Sequence, residues 1–204
     1  MSYNTIPNPE VIEQTKAAIE AQNIKVIVVN NKEEVLAKIK ELIPSGVSVM
    51  TGGSTTLDQI GFTDLLKSGN HPWNNLKAGI MAETDLVKQG LLRKQAVLAD
   101  YFLGSVHAIA QTGELLVASG TGSQLPAYTF TSDNVIWVAG AHKIVPTVED
   151  CYKRLNEYVF PLEDERMKKL GMAGGSISMT LLFQKSILPN RKLTLILVKE
   201  VLGF

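Results

Sequence analysis

Two short β-branched runs, Val26-Ile27-Val28-Val29 and Val47-Ser48-Val49-Met50, flank a segment whose apolar residues recur at helical spacing: Val35, Leu36, Ile39, Leu42 and Ile43. Apolar runs without alternation read as strands covered on both faces. Two such strands joined by one helix imply a parallel pair with a crossover, the unit of an α/β sheet. Turn signals agree, with Asn30-Asn31 closing the first run and Pro44-Ser45-Gly46 ending the helix. The second run leads directly into Gly52-Gly53-Ser54-Thr55-Thr56.

The same reading extends along the chain. Asn8 and Pro9 start a first helix with Val11, Ile12, Ala18 and Ile19 on one face. Residues 57–80 read as loops around short helical turns. A helix over 82–98 is expected to bury Leu86, Val87, Leu91, Val97 and Leu98, with Glu83 and Asp85 as first-turn carboxylates rather than a catalytic pair. Strands follow at about 101–104, 114–118 and 135–139, spaced too closely for a helix between each, so the sheet is expected to be mostly parallel and partly mixed. A helix over 147–158 presents Val148, Tyr152, Leu155 and Val159; a polar, glycine-rich stretch spans 161–175; and Leu193–Lys199 is a last strand. No linker or repeat divides residues 1–204, which read as one domain.

Composition narrows the function. Lys plus Arg and Asp plus Glu number 20 each, giving zero formal charge. That balance argues against nucleic acid or an anionic membrane surface as partner, and leaves a homodimer open because self-association is tolerated near neutrality. Cys151 is the lone cysteine, so no internal disulfide and no Cys-type zinc or iron–sulfur site can form from this chain. His71, His107 and His142 have no metal-ligand spacing, and no metal site is expected. The first residues lack the basic and apolar regions of a signal peptide, and the expected compartment is the cytoplasm.

Chemistry concentrates in three places. Gly52, Gly53, Ser54, Thr55 and Thr56, between a strand and a helix start, suit a small anion, since bare amides and hydroxyls can converge on it. The lysine of a P-loop is missing, and an ordinary turn with a serine cap is the competing reading. Asp100 and His107 bracket the strand at 101–104 and are the candidate catalytic residues, against a turn residue and a satisfied structural histidine. Thr112 and Gly113, Gly122, and Lys143 after the run 135–139 complete the candidate ligand set; the lysine can neutralise an anion at a strand end or sit in solvent.

Thr51–Leu57, Ala99-Asp100 with Ala108–Leu115, and Val135–Val145 together resemble the lactate-utilisation (LUD) domain family, to which the bacterial lactate utilisation protein C belongs. The resemblance runs from about residue 9 to the C-terminal strand. It implies a Rossmann-like three-layer sandwich similar to ribose-5-phosphate isomerase, glucosamine-6-phosphate isomerase and the CoA transferases. It also implies a subunit or regulator of lactate oxidation working beside iron–sulfur partner proteins, with any cluster held by the partner. Two alternatives stand beside it: a free-standing isomerase or CoA-transferase-like enzyme using Asp100 or Glu114, and a scaffold without chemistry that docks the iron–sulfur partner. The chain departs from the family pattern at Gln111, where an acidic residue is usual, at His107, and at Ser123-Gln124 in place of an asparagine–arginine pair that would clamp an anion.

Overall fold

The computed structural model describes residues 3–204. Its elements in order are α1 (Pro9–Ala21), β1 (Lys25–Val29), α2 (Lys32–Leu42), β2 (Ser48–Thr51), α3 (Thr55–Gln59), α4 (Phe62–Ser68), β3 (Asn74–Asn75), α5 (Leu76–Ala82) and α6 (Leu86–Gln95). Then come β4 (Tyr101–Gly104), β5 (Ala108–Ala110), β6 (Leu115–Ser119), β7 (Asn134–Gly140), β8 (Ile144–Val145), α7 (Val148–Arg154), α8 (Phe160–Lys169), β9 (Met179–Phe183) and β10 (Lys192–Val198). Side-chain caps start the helices, Asn8 as expected and Asn31 in addition to closing the first strand. Asn8 accepts a hydrogen bond from the Val11 amide at 2.9 Å and Asn31 from the Glu34 amide at 3.1 Å.

A six-stranded sheet ordered β1-β10-β7-β4-β2-β3 forms the centre, and every pairing in it is parallel. One face packs against α2, α3 and α4 through Val35, Ile39, Leu57, Phe62 and Leu66. The other face, with Phe102, Val135, Trp137 and Leu195, packs against α1 and a second sheet ordered β8-β5-β6-β9. The far side of that second sheet is covered by α7 and the helix after it, through Cys151, Leu155 and Val159. The mixed pairing expected in one sheet is therefore all in the second: β5–β6 and β6–β9 are antiparallel, β5–β8 parallel. No helix among the described residues is long and apolar enough to cross a membrane.

Two expectations are corrected. The helix over 82–98 exists as α6 and a short 3-10 turn, but Leu86, Val87, Leu91 and Leu98 are exposed, Val87 to 82%. The reason is placement: α6 packs on α5, beyond the two-residue edge strand β3, and no sheet face lies beneath it. Ala96 alone of that segment is fully buried, while Val97 packs against the central cluster. Asp85 is the cap of α6, accepting from the Val87 amide at 2.9 Å, and Glu83 accepts from the Asp85 amide at 2.9 Å.

The helix expected over 147–158 continues to Lys169. A π-helical turn at Leu155–Val159 joins α7 to α8, where Pro161 stands in the first turn and needs no amide partner. Tyr152 faces outward; Cys151 and Arg154 take the buried positions. Of the four residues expected on one face, Leu155 and Val159 are buried and Val148 packs against the same cluster; Tyr152 alone is displaced, by Cys151 one position earlier.

Candidate functional site

In the sheet, β2, β4 and β7 are adjacent and parallel, so residues that follow their C-terminal ends meet at one edge. Those residues are Gly52–Thr56 after β2, Ser105–His107 after β4, and Ala141–Lys143 after β7. They open onto a cleft of about 360 Å3 whose opposite wall comes from the second sheet and α8, including Ser119, Thr121, Glu163 and Arg166.

The glycine-rich loop ends in a serine cap: Ser54 Oγ accepts from the Leu57 amide at 3.3 Å. The helix it caps, α3, is five residues long, so its dipole contributes little. The loop's usefulness lies in its backbone. The amides of Gly53, Ser54 and Thr55 find no protein acceptor among the described residues. A Cβ built on Gly53 would meet nothing within 4 Å, so the bare backbone faces open space. Thr56 is buried, and its Oγ1 donates to Ser105 Oγ at 3.2 Å.

Lys143 lies at the floor of the cleft, 2% exposed. Its Nζ contacts Ser105 Oγ at 3.1 Å, the Val106 carbonyl at 3.1 Å and Thr56 Oγ1 at 3.3 Å. Burial holds its pKa well below the usual lysine range, and the neighbouring Arg154 charge adds to the effect.

His107 immediately precedes β5 and lines the same cleft. Its Nδ1 accepts from the Ala118 amide at 3.0 Å, which leaves the proton of the neutral ring on Nε2. Burial pushes its pKa down to about 3, helped by the charges of Lys143 and Arg154.

Arg154, from α7, is fully buried beneath this cluster. One guanidinium nitrogen donates to the His107 carbonyl, and the group lies over the Tyr158 ring with its carbon 5.1 Å from the centroid. Its Nε and Nη2 make no hydrogen bond among the described residues. Burial lowers its pKa to about 10.

Neither Lys143 nor Arg154 has a carboxylate partner among the described residues. Glu163 is the carboxylate lining the cleft, and it is engaged bidentately by Arg166 at 2.7 Å to each oxygen. No group of metal-ligating side chains occurs among the described residues.

The cleft thus brings together Gly52, Gly53, Ser54, Thr55, Thr56, His107 and Lys143. Gly122 lies beside it in the turn after β6, with φ +73° and its amide donating to Ser119 Oγ at 2.8 Å. Gln124 is internal bracing: its Oε1 accepts from Ser119 Oγ at 2.8 Å.

Asp100 is elsewhere. It precedes β4, four residues and about 13 Å along the strand from Gly104 at 3.3 Å per residue. Its Oδ2 accepts from the Ser48 hydroxyl at 2.6 Å and amide at 2.8 Å, which hold the carboxyl below its usual range. Thr112 and Gly113 form the β5–β6 hairpin away from the cleft, Thr112 exposed and Gly113 buried against α1, where a Cβ on it would stand 2.8 Å from the Ala18 carbonyl oxygen. Ser105, Ser119, Arg154 and Arg166 join the site without having been singled out from sequence. Ser105 carries a readable signal, since it follows an apolar strand at its C-terminal end; Arg154 carries none.

A smaller cavity of about 230 Å3 lies across the Gly52-Gly53 backbone. Lys77 reaches into it, donating to Thr51 Oγ1 and the Gly52 carbonyl, both at 3.2 Å.

The family profile of the LUD domain matches residues 12–174. No curated protein matches the chain. Among solved structures, a DUF162 family protein from Deinococcus radiodurans is similar in fold, with TM-score 0.55 and 15% sequence identity over 95% of this chain and 99% of that one.

Proposed function

The chain belongs to the LUD domain family, and from that premise we propose that its cleft binds a small anionic metabolite, a carboxylate or a phosphate, in a subunit or regulator of lactate and related organic-acid utilisation. The observation that carries this reading is the buried Arg154 guanidinium, which has no carboxylate to balance it, set behind a buried lysine, Lys143, that has none either. Burying an unbalanced charge costs several kcal/mol even after relaxation. An anion seated against the bare amides of Gly53, Ser54 and Thr55, above Lys143, offsets that cost.

Thermal unfolding with lactate, pyruvate, inorganic phosphate and sugar phosphates tests it. A ligand at 100 times its Kd stabilises by about 2.7 kcal/mol, a rise of several degrees for a domain of this size. The rise should shrink in Ser54→Ala and vanish in Lys143→Gln. If no small anion raises the melting temperature, the reading fails.

A second reading, a scaffold that docks an iron–sulfur partner protein, is favoured by the exposed apolar residues of α6, chiefly Leu86 and Val87. The reading as an isomerase or CoA transferase has less support, since neither Asp100 nor Glu114 lines the cleft.

A further inference from the structure

We propose that Lys143 is a carbonyl-capturing residue, forming an imine with the carbonyl carbon of a 2-oxo acid whose carboxylate rests on the amides of Gly53, Ser54 and Thr55. The inference rests on the anion-binding reading above and goes beyond it by naming the substrate class and a covalent step.

The hydrogen-bond partners of Nζ carry the argument. A lysine kept as a structural cation is best served by carboxylates or carbonyls, which only accept. Here two of the three partners, Thr56 Oγ1 and Ser105 Oγ, are hydroxyls that can accept or donate, and only the Val106 carbonyl is restricted to accepting. An ammonium satisfies all three as acceptors. A neutral amine is satisfied equally well, with one N–H on Val106, one on a hydroxyl, and its lone pair held by the other hydroxyl. Thr56 and Ser105 also bond to each other at 3.2 Å, so the hydroxyl that holds the lone pair has another partner when it turns away.

The surroundings favour the amine. Lys143 is buried, beside the guanidinium of Arg154, without a carboxylate. Desolvation next to a second cation is the setting that turns a lysine into a nucleophile.

The step balances without an oxidant or reductant. The Nζ lone pair attacks the carbonyl carbon, and the carbonyl π pair moves to oxygen, which takes a proton to give the carbinolamine. The carbon–oxygen bond then breaks, and both amine hydrogens leave with that oxygen as one water, giving the neutral imine. The Thr56 and Ser105 hydroxyls, in contact with Nζ, are placed to pass these protons. His107, with its ring proton on Nε2, is the further donor at the same edge of the cleft.

The test is reductive trapping. Wild-type protein is incubated with pyruvate and sodium cyanoborohydride, digested, and mapped by mass spectrometry, with lactate as the control that has no carbonyl. Binding of pyruvate is followed on the same sample by thermal unfolding. The expected result is a reduced adduct on the Lys143 peptide with pyruvate, none with lactate, and its loss in Lys143→Arg. The wild-type peptide map decides the matter even if that variant does not fold. Stabilisation by pyruvate without an adduct at Lys143, or adducts on surface lysines alone, overturns the imine and leaves the anion site standing. Neither stabilisation nor adduct overturns both.

Discussion

His107 and His142 are imidazoles kept neutral, each with its pKa pushed down to about 3 by burial and by the charges of Lys143 and Arg154. In the unfolded chain an imidazole takes its proton near pH 6.5. Between those values the unfolded state binds more protons, so stability is lost as pH falls from about 6.5, by about 1.4 kcal/mol per pH unit for each histidine. Asp100 adds a loss of the same sign, but only below its unfolded pKa near 4. Urea unfolding between about pH 4.5 and 6.5 therefore reads the buried basic groups rather than Asp100, and His107→Gln should reduce the slope there; an unchanged slope counts against a neutral His107. A second residue-scale prediction concerns Gly104, where an added Cβ would run into the Tyr128 hydroxyl. Gly104→Ala should cost about 1–3 kcal/mol by overpacking. Tyr128→Phe should recover part of that cost in a double-mutant cycle, and simple additivity would remove the steric explanation. At this scale the glycine-rich loop was legible, because strand, glycine and hydroxyl residues stand consecutively in the chain. Asp100 misled because sequence shows that a residue flanks a strand, and only direction within a parallel sheet decides whether it reaches the cleft. Asp100 enters β4 and Ser105 leaves it, so the serine is the one at the site.

Among the elements, α1 and α6 have similar patterns and opposite fates. The apolar residues of α1 land on the sheet, with Ile12 2% and Ile19 0% exposed, whereas Leu86 and Val87 of α6 are 80% and 82% exposed. Periodicity records that a helix has an apolar side but not whether another element covers it. Ile19→Ala should accordingly cost about 2–5 kcal/mol. Leu86→Gln and Val87→Gln should each change stability by less than about 0.5 kcal/mol, since their side chains already stand in water. Equilibrium denaturation of the three variants checks the contrast, and a loss above about 1 kcal/mol in either α6 variant would mean that the helix is packed in solution. The same two variants bear on the scaffold reading: a docking face on α6 predicts loss of partner association with folding intact. The strands β5 and β9 escaped sequence reading for a different reason. β5 is three residues long, too short for a pattern, and β9 presents two exposed and two half-buried residues before Phe183. Arg154 went unseen because a basic residue in a helix is ordinarily exposed, and nothing in the sequence marks this one as buried.

At the scale of the whole molecule, the parallel sheet was readable because its strands are buried on both faces and therefore continuous apolar runs. The second sheet was not, because its strands pair across long separations: β6 bonds to β9 with Leu115 opposite Phe183 and Ser119 opposite Met179. That pairing matters for the cleft, which lies between two bodies. The loop at 52–56 and Lys143 belong to the edge of the parallel sheet, while Ser119, Glu163, Arg166 and Ser176 belong to the second sheet and its helix. These two walls differ in how firmly they are held. β7 and β10 are almost entirely buried, whereas residues 169–176 are largely exposed and the start of β9 faces solvent. Local opening is drawn from segments with few buried contacts, so the unliganded protein should exchange amide hydrogens fastest along that second wall. An anion that touches both walls stabilises only the closed arrangement, and its binding free energy appears as slower exchange where opening was easiest. Hydrogen exchange with and without a bound anion should thus show protection in residues 175–183 as well as in 52–56, by up to about a hundredfold at 100 times Kd. Protection confined to 52–56 would mean that the ligand is held by the loop and Lys143 alone. The second sheet would then serve as a wall without contributing to affinity.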